Sequence, residues 1–283
     1  MEKITYEIIS LAPKEHRFLP LIFHTNLIIV NKYISLYNWH NELEILTVLS
    51  GNGVLHCNNK DYPMEKGDVL VINSRFLHSI STDSEVLFHC MIFDSDFCSN
   101  FGIDTSKTQF ETHIKDEKLY AQLIAAADNI TLFRKDNNAV YLALSAKARL
   151  LDALAIMSKD YSLPPEKRKE NYSEADTRIK KTIEYISKNI TEEITLDGIA
   201  SAVGISKYHL SREFKRITDI TVFDFIIRTR INFAKELLKK GYSVSESAIS
   251  SGFENLSYFS RKFREIQGIL PSRYAKLCKS DKH

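Results

Sequence analysis

The chain has 283 residues, enough for two domains with cores of their own, and its formal charge of +2 is unevenly spread. Residues 1–173 carry 18 Lys and Arg against 22 Asp and Glu, whereas residues 174–283 carry 20 against 14, so a polyanionic partner belongs to the second half. Cys57, Cys90, Cys98 and Cys278 have no paired spacing, Met1 to Tyr6 is no signal peptide, and no apolar run reaches membrane-spanning length, which excludes a disulfide framework, a zinc ribbon and a membrane partner and leads us to expect a soluble, cytoplasmic protein.

Residues 1 to about 95 are rich in short β-like runs: Leu27-Ile28-Ile29-Val30, Ile45 to Leu49, Val69 to Ile72, and Val86-Leu87-Phe88. Gly51-Asn52-Gly53 and Asn58-Asn59 read as hairpin turns between them. Closely spaced short strands predict a sandwich or small barrel. Within this region, Asn38-Trp39-His40-Asn41-Glu42-Leu43-Glu44, with Gly51 seven residues on, resembles the first motif of the cupin superfamily. Gly67-Asp68-Val69-Leu70-Val71-Ile72-Asn73 followed by His78 resembles the second. The resemblance implies a cupin-like β-barrel. In metal-binding cupins the matching ligands are two His and a Glu in the first motif and a His in the second; here one His position is Asn38, leaving His40, Glu44 and His78.

Three such ligands can hold a metal. The favoured reading is a pocket without metal or cofactor, in which His40, Glu44 and His78 orient a small ligand in an otherwise apolar cavity. They could also simply satisfy one another. On a regular strand His40 and Glu44 share a face. Trp39 and His56 face either the pocket or solvent.

Residues 116–130 and 138–160 read as helices, the second with Leu144, Leu151, Leu154 and Met157 available to one apolar face. That stripe is expected to pack in a homodimer or against the barrel of its own chain. Residues 162–175, with Pro164-Pro165 and a charge run, read as a linker between a sensor domain at 1–161 and a second domain at 176–283.

The second domain opens with an amphipathic stripe, Ile179, Ile183, Ile186 and Ile190. It then repeats itself. Leu196, Ile199, Ala200, Val203, Gly204 and Ile205 recur 48 residues later as Val244, Ser247, Ala248, Ser251, Gly252 and Phe253. Leu210, Ser211, Arg212, Phe214, Lys215 and Ile217 recur 49 residues later as Phe259, Ser260, Arg261, Phe263, Arg264 and Ile266, so the second copy has one extra residue in its turn. Each copy reads as helix, glycine turn, helix, with Thr195 and Ser206 as caps in the first. Inside lie Leu210, Phe214 and Ile217, and in the second copy Phe259, Phe263 and Ile266. Outside lie Lys207, Tyr208, Ser211, Arg212 and Lys215, and Leu256, Ser257, Ser260, Arg261 and Arg264. These outer ridges suit insertion into the DNA major groove.

A helix from about Val222 to Lys240, capped by Thr221 and Gly241, joins the two copies. About 18 residues at 1.5 Å each give roughly 27 Å, near the roughly 34 Å between successive major-groove segments. Its Arg228 and Arg230 are available to phosphate or to nearby carboxylates.

Residues about 176–279 resemble the DNA-binding domain of the AraC/XylS family of transcription regulators. The strongest match is Gly252-Phe253-Glu254-Asn255-Leu256-Ser257-Tyr258-Phe259-Ser260-Arg261-Lys262-Phe263, followed by Gly268 and Pro271-Ser272-Arg273-Tyr274. The family usually has aliphatic residues at the positions of Ser247 and Ser251, so the first helix of the second copy is expected to be thinly packed.

The expected fold class is therefore α+β: a cupin-like barrel, helices, then an all-α domain with two helix-turn-helix units. The resemblance implies a ligand-responsive regulator with promoter DNA, RNA polymerase and a small effector such as a sugar as partners. No nucleophile–base constellation or phosphate-binding glycine loop is visible, so no enzyme is expected. The alternative is a cupin metalloenzyme or metal sensor fused to the helical domain.

Overall fold

The computed structural model describes residues 19, 21–29, 37–136, 138–168 and 173–280, which fall into two compact units on either side of residues 169–172. Among the described residues the first unit holds two antiparallel sheets. Strands β1 (Leu21–Ile29), β2 (Leu43–Gly51), β5 (Val69–Ile72), β7 (Glu85–Phe93) and β8 (His113–Ile114) form a sheet of order β1-β7-β2-β5-β8. Strands β3 (Gly53–Cys57), β4 (Lys60–Met64) and β6 (His78–Ser81) form a second sheet of order β4-β3-β6.

The larger sheet is buried on both faces. Alternation sends Leu43 and Ile45 of β2, Val69 and Val71 of β5, and Met91 and Phe93 of β7 into one core with two long helices. The opposite face carries Glu44, Leu46, Leu70, Ile72 and Cys90, also buried. Glu44 there lies 3.3 Å from His78 of β6, so the two sheets face each other across this point, as a cupin-like barrel requires.

Two turns differ in kind. Asn58 and Asn59 both take positive φ, 50° and 61°, and close the β3–β4 hairpin, where the right-handed twist of the strands favours such a turn. Gly51-Asn52-Gly53 is not a hairpin. β2 pairs with β5 and β7, whereas β3 pairs with β4 and β6, so this glycine pair carries the chain around a corner from one sheet to the other. A Cβ on Gly51 would fall 2.1 Å from the Glu85 carbonyl oxygen, which explains the glycine at the corner.

A short helix, α1 (Ser95–Asn100), follows the strands. Helices α2 (Glu117–Lys135) and α3 (Val140–Asp160) then cover the large sheet. The buried stripe of α3 is Ala143, Ala146, Leu150, Ala153, Leu154 and Met157. Leu154 and Met157 therefore pack within their own chain. Leu144 is 61% exposed and Leu151 half-buried, one step off the expected stripe in helical phase. The proline segment is held in place: Leu163 N–H donates to the Gln109 carbonyl, and Arg168 donates to the carbonyls of Leu163 and Lys107.

Among the described residues the second unit holds helices and no strand. A Ser173–Asp176 capping box starts α4 (Glu174–Lys188), whose Ile179, Ile183 and Ile186 are buried, with Ile190 buried just past its end. Then come α5 (Leu196–Val203), α6 (Lys207–Thr218), α7 (Val222–Lys240), α8 (Val244–Ser250), α9 (Leu256–Gln267) and α10 (Pro271–Ser280). The expected caps form: Thr195 accepts from Gly198 N–H, Ser206 from His209 N–H, and Thr221 from Asp224 N–H. The extra residue in the second turn moves the cap of α9 to Asn255, which accepts from Tyr258 N–H.

Helix α8 is thinly anchored. Its buried residues are Ala248 and Ser247, and Ile249 is 69% exposed. The Ser251 hydroxyl donates back to the Ser247 carbonyl, but the buried Ser247 hydroxyl has no hydrogen-bond partner. An unpaired buried hydroxyl costs about 1–3 kcal/mol. Ser247→Ala is therefore expected to raise stability by about 1 kcal/mol, read as a higher urea midpoint; a lower midpoint would show that the hydroxyl has a partner.

Candidate nucleic-acid interface and sensor cluster

Helix α6 turns Leu210 and Phe214 into the core, and the Phe214 ring meets Phe225 of α7 edge-on at 5.4 Å. That fixes the opposite face outward. Tyr208 is 80% exposed, and Arg212 and Lys215 are exposed beside it. Ser211 and Lys207 sit half-buried at the edges, and Lys207 is engaged by Asp197 at 3.1 Å. In α9, Phe259 and Phe263 are fully buried, while Leu256, Ser257, Arg261 and Arg264 are exposed and Ser260 half-buried. The Arg261 guanidinium lies over the Tyr258 ring at 5.3 Å, with Glu265 at 3.9 Å. Both ridges anticipated from the repeat thus lie on the open faces of their helices.

One residue of α6 escaped the sequence reading. Glu213 stands between Arg212 and Phe214, and its carboxylate is turned inward, 9% exposed. Arg178 of α4 grips it with both arms, Nε and Nη2 each at 2.8 Å, and His209 Nε2 lies 3.5 Å away. Such a fork is charge-assisted and geometrically specific. It holds the Glu213 carboxyl below the usual carboxylate range, chiefly through the Arg178 hydrogen bonds. The partners are 35 residues apart, so no local spacing announces the pair.

The linking helix is also reassigned in part. Arg230 feels the Glu254 carboxylate, as anticipated, but its hydrogen bonds go to backbone carbonyls. Its Nε donates to the Ile190 carbonyl at 3.0 Å and its Nη2 to the Glu192 carbonyl at 2.7 Å.

In the first unit His40, Glu44 and His78 come together. His40 precedes β2 rather than extending it, yet its Nε2 lies 2.9 Å from Glu44 Oε2, with His78 Nε2 at 3.3 Å from the same oxygen. The Cys90 thiol donates to Glu44 Oε1 at 3.0 Å. Burial pushes the Glu44 carboxyl up, but the hydrogen bonds to His40 and His78 outweigh it and leave it well below the usual range. The other ring nitrogens face carbonyls: His40 Nδ1 meets Glu42 O at 3.1 Å and His78 Nδ1 meets Phe76 O at 2.9 Å.

His56 faces neither the cluster nor open solvent alone. Its Nδ1 lies 2.6 Å from Asp61 Oδ1 and its Nε2 2.7 Å from Ser81 Oγ. This acid–imidazole–hydroxyl relay joins three side chains in one hydrogen-bonded line. It is assembled across β3, β4 and β6, which a linear reading cannot see, and its Asp61 end is 72% exposed.

Residues 33–154 match the family described as an AraC-like ligand binding domain, and residues 199–277 match a helix-turn-helix domain. The transcriptional activator AarP of Providencia stuartii is 34% identical over 97 residues, covering 34% of this chain and 72% of its own. The chain belongs to the AraC family of transcriptional regulators. Over nearly its whole length this AraC-type regulator is similar to YdeC of Bacillus subtilis, an uncharacterised HTH-type regulator, at 26% identity over 88% of each chain. The apo form of a ToxT variant from Vibrio cholerae shares the fold, with a TM-score of 0.50 at 15% identity over 89% of this chain and 96% of that one. The protein is thus a transcription regulator with a DNA-binding helix-turn-helix domain and a ligand-binding domain, and none of its described helices is long and apolar enough to cross a membrane.

The inward fork carries a pH signature. A carboxyl held below its unfolded value contributes stability above the ordinary carboxylate range near ~4.3, and that contribution is lost as pH falls through the folded value. Glu213→Gln should therefore lower the thermal midpoint of the intact chain at pH 7, and the deficit should shrink as the pH approaches the acid range. A deficit independent of pH would mean that the ion pair is not its source.

Proposed function

We propose that the chain is a ligand-responsive, sequence-specific regulator of genes for sugar or small-metabolite use, acting in the cytoplasm. The reading rests above all on the exposed arginine ridges of α6 and α9, built on matching helix-turn-helix units and joined by one helix. Arg212 and Arg261 read bases, since a guanidinium can make a bidentate bond to guanine. Lys207, Tyr208, Ser211 and Lys215 on α6, with Leu256, Ser257, Ser260 and Arg264 on α9, complete the two surfaces. Lys207 must exchange Asp197 for phosphate to take part. RNA polymerase at the bound promoter is the further partner. A homodimer is supported by the outer side of α3, where Val140, Tyr141 and Leu144 are exposed apolar residues.

The decisive measurement is gel-shift titration on duplexes that the full chain selects from a random library. Arg212→Ala should weaken specific binding by about 1–3 kcal/mol and relax preference at one base pair. A uniform loss on all sequences with a shallower salt slope would demote Arg212 to a phosphate contact.

Effector control is linkage. A ligand held by His40, Glu44 and His78 alters DNA binding only if it binds the competing conformations with unequal affinity. A second reading, that a transition-metal dication sits among these three residues, is favoured by one observation. A carbonyl oxygen only accepts, so each Nδ1 facing Glu42 O or Phe76 O carries that ring's proton. Each Nε2 then aims a lone pair at Glu44, unless the ring takes a second proton. A dication would satisfy all three groups with neutral rings, and a carbonyl on the far nitrogen is the usual support for a histidine ligand. Such an ion would supply a Lewis-acid seat for an oxygen of the effector.

Thermal-shift titration separates the readings, because a ligand of the folded state stabilises by mass action. Stoichiometric metal in purified protein, with a rise in melting temperature on zinc or nickel addition that His78→Ala abolishes, would favour the ion. A rise with sugars or metabolites after chelation, and none with metals, would remove it.

A further inference from the structure

The junction around Arg230 joins the two helix-turn-helix units. Three parts of the helical unit converge on this one side chain. The first is the segment after α4, which leads into the first helix-turn-helix unit and offers the Ile190 and Glu192 carbonyls. The second is α7 itself, which bears Arg230. The third is the turn of the second helix-turn-helix unit, where Gly252 lies directly against the guanidinium.

Gly252 is constrained twice. Its φ of +83° is left-handed, and an added Cβ would fall 2.7 Å from the Ile190 carbonyl oxygen and 2.8 Å from Arg230 Nε. The turn of the second unit therefore rests on the same carbonyl and the same guanidinium that bind the start of the first. Gly204, its counterpart in the first unit, has a φ of +78° but open space around it. Close approach is peculiar to the second turn, so it belongs to the junction and not to the turn type.

We propose that Arg230 is a positioning residue: by tying the entry to the first unit and the turn of the second to one point on the linking helix, it fixes the separation of the two recognition helices. The chemistry suits arginine alone. A planar guanidinium can serve two carbonyls two residues apart while lying flat against a bare backbone, and a lysine ammonium has neither the fork nor the plane. With Nε and Nη2 both given to backbone carbonyls, the group ties segments of the domain to one another. Two linked units gain affinity over either alone only when both can engage together, so loosening the junction should spare each contact and weaken the pair.

The inference rests on the proposed reading of α6 and α9, and the test keeps the two apart. The first measurement uses no DNA. In a Cys278→Ser background, spin labels at Arg216→Cys and Gln267→Cys report the distance between the recognition helices in the intact chain. Arg230→Lys is expected to broaden a narrow distribution, and an unchanged width would overturn the proposal whatever the DNA results.

The second measurement uses a duplex that the wild-type chain selects from a random library, with its half-sites mapped by footprinting. Arg230→Lys should bind the intact duplex about 10–100-fold more weakly than wild type, yet bind duplexes with one half-site scrambled within about 3-fold of it. It should also discriminate less against a 5-base-pair insertion between half-sites, which puts them on opposite sides of the helix. A near-normal Arg230→Lys on the intact duplex would overturn the proposal, as would an equal loss on intact and scrambled duplexes. Broadening of the label distance together with wild-type protein that binds no duplex would instead leave the positioning role standing and remove the DNA reading.

Discussion

Helices α6 and α9 are both fastened to one rod, α7, by buried aromatic rings. Phe214 of α6 meets Phe225 near the start of α7, and Phe259 and Phe263 of α9 pack on Ile231, Ala234 and Leu238 further along it. The rings do two things at once. They remove large apolar surface from water, on the order of 2–3 kcal/mol each, and their edge-to-face geometry sets which side of each helix is left outside. Everything that the exposed ridges can do follows from that choice of inner face. The rod's 19 residues place the two anchorages at different heights along an axis about 28 Å long.

The two units reach similar geometry by different forces. The first adds the Arg178–Glu213 fork, a charged link between α4 and α6. In the second, the corresponding position is Lys262, which pairs with Glu265 on its own helix at 2.7 Å. There the load falls on a run of rings, Phe253, Phe259, Phe263 and Tyr274, each within 6 Å of the next. The first unit's placement is therefore open to pH and salt, while the second's depends on dry packing around a slight first helix.

The repeat was legible because its signal is local: helical spacing, a cap and a glycine within each copy suffice to draw the inner and outer faces. The same locality explains what was missed. The Glu213 fork and the His56 relay join residues brought near only by the fold, and nothing in either neighbourhood marks them. Gly51-Asn52-Gly53 was misread because a glycine pair serves a hairpin and a corner equally well; only the pairing partners of β2 and β3 distinguish them. The expected stripe of α3 shares Leu154 and Met157 with the seam but takes in Leu144, because alanines fill half of the seam and carry little apolar signal of their own. His40 reached Glu44 as anticipated, but by a loop approach in place of a regular strand.

The linking helix is a continuous α-helix, and that has a consequence for how such a chain can change over time. Each residue inserted between the two anchorages would advance one end by about 1.5 Å and rotate it by roughly 100°. A single-codon insertion would therefore swing the second ridge out of its bearing relative to the first even if every side chain were retained. Substitutions along the solvent side of the rod leave this geometry untouched. Divergence in α7 should accumulate as exchanges of residue type, with its length held constant.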